Sequence, residues 1–205
     1  MSQPIPLERK EDPRRRILEA ARELFADRGS AEVTMAEVAS AAGVARATVF
    51  NHFGTKHALV EGITEEVLEI YQRMLEKAVA DRETPTPTIV RELFRVMGKG
   101  VEHDRRFHRG VFREIAKLSL GLDEGGPGQR ARQQNLEAMR RLMERGQARG
   151  ELNPDHRAED LASAFGATIS GTVTHWLYGD ASEPLPERMA RAAEVFLDGA
   201  AVRSR

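Results

Sequence analysis

The stretch TMAEVASAAGVARATVFNHF, Thr34 to Phe53, decides the fold. Thr34, with Glu37 three residues on, is a capping box, so a helix starts here. Met35, Val38, Ala39 and Ala42 give that helix an apolar stripe, and Gly43 stops it. A second short helix is expected from about Arg46 to Phe53, before Gly54-Thr55 breaks the chain. Two helices packed steeply across a short turn make a helix-turn-helix. That geometry needs a small residue at the crossing, a turn residue that tolerates positive φ, and an apolar plug from the second helix. Ala39, Gly43 and Val49 supply them in that order, with Val38 and Val44 filling the space between. An ordinary helical hairpin is the alternative reading of the same signals.

Outward from this segment the chain reads as helices only. Asp12-Pro13 is a helix start, with Ile17, Ala21, Leu24 and Phe25 at helical spacing and Gly29 at the end. Downstream, Leu59, Ile63, Val67, Ile70, Tyr71, Met74 and Ala78 predict one long helix from about Lys56 to Asp81. Thr84-Pro85-Thr86-Pro87 reads as a corner. A helix with Ile89, Leu93, Val96, Met97 and Val101 follows, then one capped by Asp104 with Phe107, Val111, Phe112 and Ile115 inside. Residues 121–128, GLDEGGPG, read as an exposed loop. Further helices are expected from about Gln129 to Arg149, from Asn153-Pro154 to Gly179, and from Pro186 to near Val202. The fold class is therefore all-α, with about nine helices. A three-helix N-terminal domain with its leading arm occupies residues 1–55, and a larger helical domain occupies residues 56–205.

Composition narrows the function classes. The 205 residues are 40% hydrophobic and 31% charged, which fits a soluble globular chain. No apolar run approaches the ~20 residues of a membrane span. The N-terminus lacks the apolar centre of a signal peptide, so the cytoplasm is the expected compartment. With no cysteine, disulfides, thiolate catalysis and Cys-type zinc sites are excluded. No nucleophile–base set, P-loop or paired-His metal motif is visible, so neither an enzyme nor a cofactor or metal site is expected. His103, Asp104 and His108 read as a capped helix start rather than a metal cluster. Net charge is −1 overall, and residues 1–60 carry nine Lys and Arg against eight Asp and Glu. Five bases against three acids in the first sixteen residues give only a slight basic bias.

Val44 to Val60, VARATVFNHFGTKHALV, resembles the recognition helix and following turn of TetR-family repressors. The family's run of Thr, large apolar residue, aromatic, variable residue, His, aromatic, small turn and Lys falls on Thr48 to Lys56. Arg15 to Gly29, RRILEAARELFADRG, is similar to that family's first helix. The resemblance implies a DNA-binding regulator, most simply a repressor released from a palindromic operator by a small molecule. A ligand-independent or protein-controlled regulator is the alternative, and a small helical enzyme a remote one. It implies phosphate contacts from Thr34 and Lys56, and places Ala45, Arg46, Ala47, Thr48 and Asn51 toward base edges. Arg46 would read guanine in a bidentate manner or contact phosphate. Ala45 and Ala47 offer only apolar contact. His52 either reaches phosphate or packs. Phe50 stands where the family carries Tyr, so a phenolic contact to phosphate is lost.

One such helix reads only a few base pairs, so two copies on a two-fold site are expected, ~34–36 Å apart or a multiple of that. The helix ending at Gly179 has apolar residues on two faces. One face is expected to meet its own domain and the other a partner copy in a homodimer. The interface residues expected on it are Ala162, Gly166, Ile169, Ser170, Val173 and Leu177. Met189, Ala193, Phe196 and Leu197 extend that interface onto the last helix. The resemblance places an effector site among the middle helices, at Tyr71, Phe94, Met97, Phe107, Phe112 and Met139. Met143, Phe165, Thr172, His175 and Trp176 complete that set. An effector wedged there would tilt the long helix from Lys56 and move the readers out of register. Plain core packing is the alternative for each of these residues.

Overall fold

The computed structural model describes residues 12–111, 127–179 and 182–201, and over these residues every regular element is a helix. The first three are short: α1 (Pro13–Arg28), α2 (Met35–Ala41) and α3 (Arg46–Phe53). Then come α4 (Lys56–Ala80), α5 (Thr86–His103), α6 over residues 105–111, α7 (Pro127–Ala148), α8 (Ala158–Tyr178) and α9 (Leu185–Ala200).

The local signals act as read. The Asp12 side chain accepts from Arg14 N–H with Pro13 inside the first turn, and Thr34 and Glu37 close a reciprocal capping box. Two starts differ. Asn153-Pro154 does not open a helix: Asn153 folds into a turn, its side chain accepting from Asp155 N–H at 2.9 Å and its N–H donating to Ala200 O at 2.8 Å. That turn delays α8 to Ala158. The Asp104 carboxylate leaves the start of α6 and pairs with Arg22 of α1. Phe112, Ile115 and residues 121–126 of the expected loop lie outside the described residues, while its last two residues, Pro127 and Gly128, open α7 instead, with Pro127 at the first helical position.

Buried side chains form two clusters. One joins α1, α2, α3 and the first half of α4 through Ile17, Phe25, Val38, Val49, Leu59 and Ile63, and takes in Phe107 and Val111 of α6. The other joins α5, α7, α8 and α9 with Leu75 of α4. The 25 residues of α4, about 37 Å of helix, run from one cluster into the other. The Thr84–Pro87 corner is held by Arg145, whose guanidinium donates to the carbonyls of Ala78, Asp81 and Thr84.

α8 lies between α7 and α9 of the same chain, and α9 packs on α5. The Phe165 ring meets Phe196 of α9 edge-on at 5.8 Å. Both apolar faces of α8 are thus covered within one protomer. Ala162, Ile169, Val173 and Leu177 are buried there, as are Met189, Ala193, Phe196 and Leu197 of α9. These eight residues expected at a subunit interface are core of the single chain. Of that set only Gly166 and Ser170 reach the surface.

Candidate nucleic-acid interface and effector cavity

α3 is held against α2 by its inner side and is free on its outer one. Val49 is fully buried and Phe53 nearly so, while Ala39 sits buried at the crossing and its carbonyl accepts from Val44 N–H at 3.0 Å. Gly43 has φ +63°, the conformation the turn demands. Arg16 of α1 locks that turn, its guanidinium donating to the carbonyls of Ala42 and Gly43, the latter at 3.0 Å. The outer side of α3 then presents Ala45, Arg46, Ala47, Asn51 and His52 to solvent, with Thr48 half-buried. The Phe50 ring is 52% exposed, an uncommon position for a large apolar group unless a partner covers it.

The two residues expected at phosphates are both occupied within the chain. Thr34 donates its N–H and its hydroxyl to the Glu37 carboxylate, at 2.8 and 2.7 Å. The Thr34 donors, with Arg28 beside them, hold that carboxyl down at about 2. The Lys56 ammonium donates to the carbonyls of Ala31 at 2.9 Å and Val33 at 3.2 Å. Lys56 therefore anchors the start of α4 to the loop between α1 and α2.

A cavity of about 350 Å³ opens among α4, α5, α7 and α8. Of the expected effector residues, Tyr71, Met97, Met139 and Phe165 line it. Phe94, Phe107, Met143 and Trp176 are buried in the packed interior away from it. The Trp176 indole N–H is satisfied by Glu183 O at 2.8 Å. Thr172 and His175 lie in a separate shallow groove between α8 and α9. Leu68, Leu75, Leu93, His108 and Asn135 also line the cavity and were not anticipated. Asn135 precedes Met139 by one helical turn, which was a usable signal. Burial pushes the Tyr71 phenol up to about 12 and the His108 imidazole down to about 4. Both are neutral at pH 7.

His108 also links the cavity to the N-terminal cluster. Its neighbour Phe107 is fully buried in the N-terminal cluster, with the Arg22 guanidinium 4.1 Å from the ring centre. Arg22 pairs with Asp104 at 2.6 Å. Gly110, one turn on, lies directly against the backbone of Phe25 in α1. Among the described residues no three His, Cys, Asp or Glu side chains gather to hold a metal ion, and no helix is long and apolar enough to cross a membrane.

Residues 17–63 match the family described as "Bacterial regulatory proteins, tetR family". Over 179 residues the chain is 27% identical to the HTH-type transcriptional regulator TtgR of Pseudomonas putida, covering 83% of this chain and 82% of that one. Among solved structures it resembles SmeT, the repressor of the Stenotrophomonas maltophilia multidrug efflux pump SmeDEF. That TM-score is 0.75 at 22% identity, over 95% of this chain and 93% of that one. It also resembles Thermus thermophilus FadR, a repressor in complex with lauroyl-CoA, with a TM-score of 0.67 at 23% identity over 94% and 97% of the two chains. At these identities the solved structures establish the fold.

Proposed function

We propose that the chain is a cytoplasmic repressor of the TetR type, released from a palindromic operator by a small molecule; the match of residues 17–63 to that family and the 27% identity to TtgR support this reading. The observation that carries this reading is α6, which touches the cavity with His108 and the reader with Phe107 and Gly110. SmeT is known in a complex with triclosan and FadR with lauroyl-CoA, so the same fold holds small molecules in those two proteins.

In this reading residues 1–55 form the reader and residues 56–205 the sensing and dimerising part, with α4 and α6 packed on both. Arg46 and Asn51 reach base edges in the major groove, Ala45 and Ala47 allow close approach, and Phe50 lies against sugar or a thymine methyl. Two readers are set by a two-fold axis. The eight residues buried in the protomer core leave the outer side of α8 and α9 for that contact. There Ala164, Ala167 and Gly171 are exposed, beside Val195 at 73% exposure.

An effector that fills the cavity bears on His108. α6 then shifts against Phe25 and Arg22 of α1, while α4 tilts, and the two readers leave register. Moving the population decisively requires on the order of 5 kcal/mol of differential effector affinity between the two states. The test is fluorescence anisotropy with a duplex selected from random DNA, repeated with the cavity saturated. Release on saturation supports the mechanism. Unchanged operator affinity rejects it, and a protein that stays monomeric at working concentration rejects the paired reader.

A further inference from the structure

Where α5 gives way to α6, two adjacent residues of opposite charge engage different parts of the molecule. Asp104 pairs with Arg22 of α1 at 2.6 Å. Arg105, the next residue, lays its guanidinium 4.7 Å from the centre of the Trp176 ring in the last turn of α8. That ring is a fixed platform. Trp176 is buried, and its indole N–H donates to the Glu183 carbonyl at 2.8 Å. The Glu183 carboxylate is tied in turn to Arg188 and Arg191 of α9. A second contact joins the same two helices, the Tyr178 hydroxyl donating to the Arg109 carbonyl at 3.2 Å.

α6 is therefore gripped from two sides. Phe107 and Val111 are buried in the N-terminal cluster with α1, while Arg105 and Arg109 meet the end of α8. One continuous helix such as α4 joins the two clusters but leaves rotation about its own axis free. A second tie away from that axis fixes the angle. Reading a two-fold site makes the angle matter, because the two α3 helices must stand one helical turn of DNA apart, ~34–36 Å, or a multiple of it. A single reader on a single half-site needs no such distance.

We propose that Arg105 is a positioning residue for DNA reading: by holding α6 on Trp176 it sets the angle of the reader against α8, and so the spacing of two readers. This rests on the paired reading proposed above.

Fluorescence anisotropy on two duplexes tests it, one carrying the full two-fold site selected from random DNA and one carrying a single half-site. A guanidinium over an indole at an exposed position supplies a factor of about three. Arg105→Gln is expected to weaken the full site about threefold and leave the half-site unchanged. Arg105→Lys, which keeps a cation over the ring, should recover most of that loss. Tyr178→Phe removes the other contact without changing charge, and should also weaken the full site alone. The emission of Trp176, the chain's one tryptophan, reports whether the end of α8 stays buried in each variant. Equal losses on both duplexes, or a salt slope reduced by about one, make Arg105 a phosphate contact and overturn the proposal. So does full-site binding that is unchanged in Arg105→Gln and Tyr178→Phe alike. A red shift of the emission in both variants shows a packing role only, and overturns it too. If the unaltered protein holds the half-site as tightly as the full site, the paired reading itself fails, an outcome separate from the others.

Discussion

Gly110 of α6 lies so close to Phe25 of α1 that a Cβ added to it would stand 2.3 Å from the Phe25 carbonyl oxygen. That carbonyl already accepts from Gly29 N–H at 2.8 Å, where α1 ends. The last turn of α1 and α6 at Gly110 therefore share one backbone contact with no slack. It ties the end of α1 to the helix that touches the cavity through His108.

Gly110→Ala tests this junction. No side-chain rotation relieves a clash with backbone, so α6 must move off α1. The expected cost is roughly 1–3 kcal/mol, the usual penalty of overpacking, seen as a lower Tm. Operator affinity should fall in the effector-free protein, because the readers start displaced. An unchanged Tm together with unchanged operator affinity would show that the contact carries nothing.

The turn of the helix-turn-helix gives a second test. At Gly43 a Cβ would sit 2.8 Å from the Arg16 guanidinium, at a backbone angle that side chains rarely adopt. Gly43→Ala should cost about 1–2 kcal/mol from the left-handed conformation alone, measured by thermal or denaturant unfolding. Operator binding should weaken with it, since Arg16 would lose its hold on the turn.

Arg46 and Lys56 should separate in a binding assay over a set of operator variants. Arg46→Ala is expected to relax preference at one base pair per half-site, by about 1–3 kcal/mol. Lys56→Ala should weaken all sequences alike. It should also lower Tm, because its ammonium holds two loop carbonyls. A salt slope reduced by about one would place that ammonium on a phosphate as well. Uniform losses from Arg46→Ala would make it a phosphate contact instead.

The helix-turn-helix was legible because its evidence is local. Thr34, Glu37, Ala39, Gly43 and Val49 act within twenty residues of each other, and each does in the structure what its spacing implied. The cavity was less legible because packing between helices far apart in sequence decides which apolar residues line it. Nothing in the sequence separates Met139, in the wall, from Met143, in the packed core one turn later. The surroundings of α8 are hard to read for a related reason. Its two apolar stripes do mean burial on two sides, but α7 and α9 of the same chain supply both. What remains outside is a run of small residues, which carries little hydropathy signal.

His108 gives the chain a pH dependence of definite sign. Its folded-state imidazole titrates at about 4 against an ordinary 6.5, with burial the main cause. Above pH 6.5 both folded and unfolded forms are neutral and the group contributes no difference. Below it the unfolded chain takes up the proton first, so stability falls as pH drops from 6.5 toward 4, by on the order of 3 kcal/mol. Unfolding of His108→Phe across that range should show a shallower loss than the unaltered protein. Parallel curves would assign the acid sensitivity to other groups.

The most direct test of the account is selection of bound duplexes from a random pool by the purified protein, followed by sequencing. The account predicts one enriched site with two-fold symmetry, its half-sites one or more helical turns apart, and loss of a single symmetric pair of preferred positions in Arg46→Ala. An enriched site without symmetry, or no enrichment at low salt, would contradict the claim that two copies of α3 read DNA together.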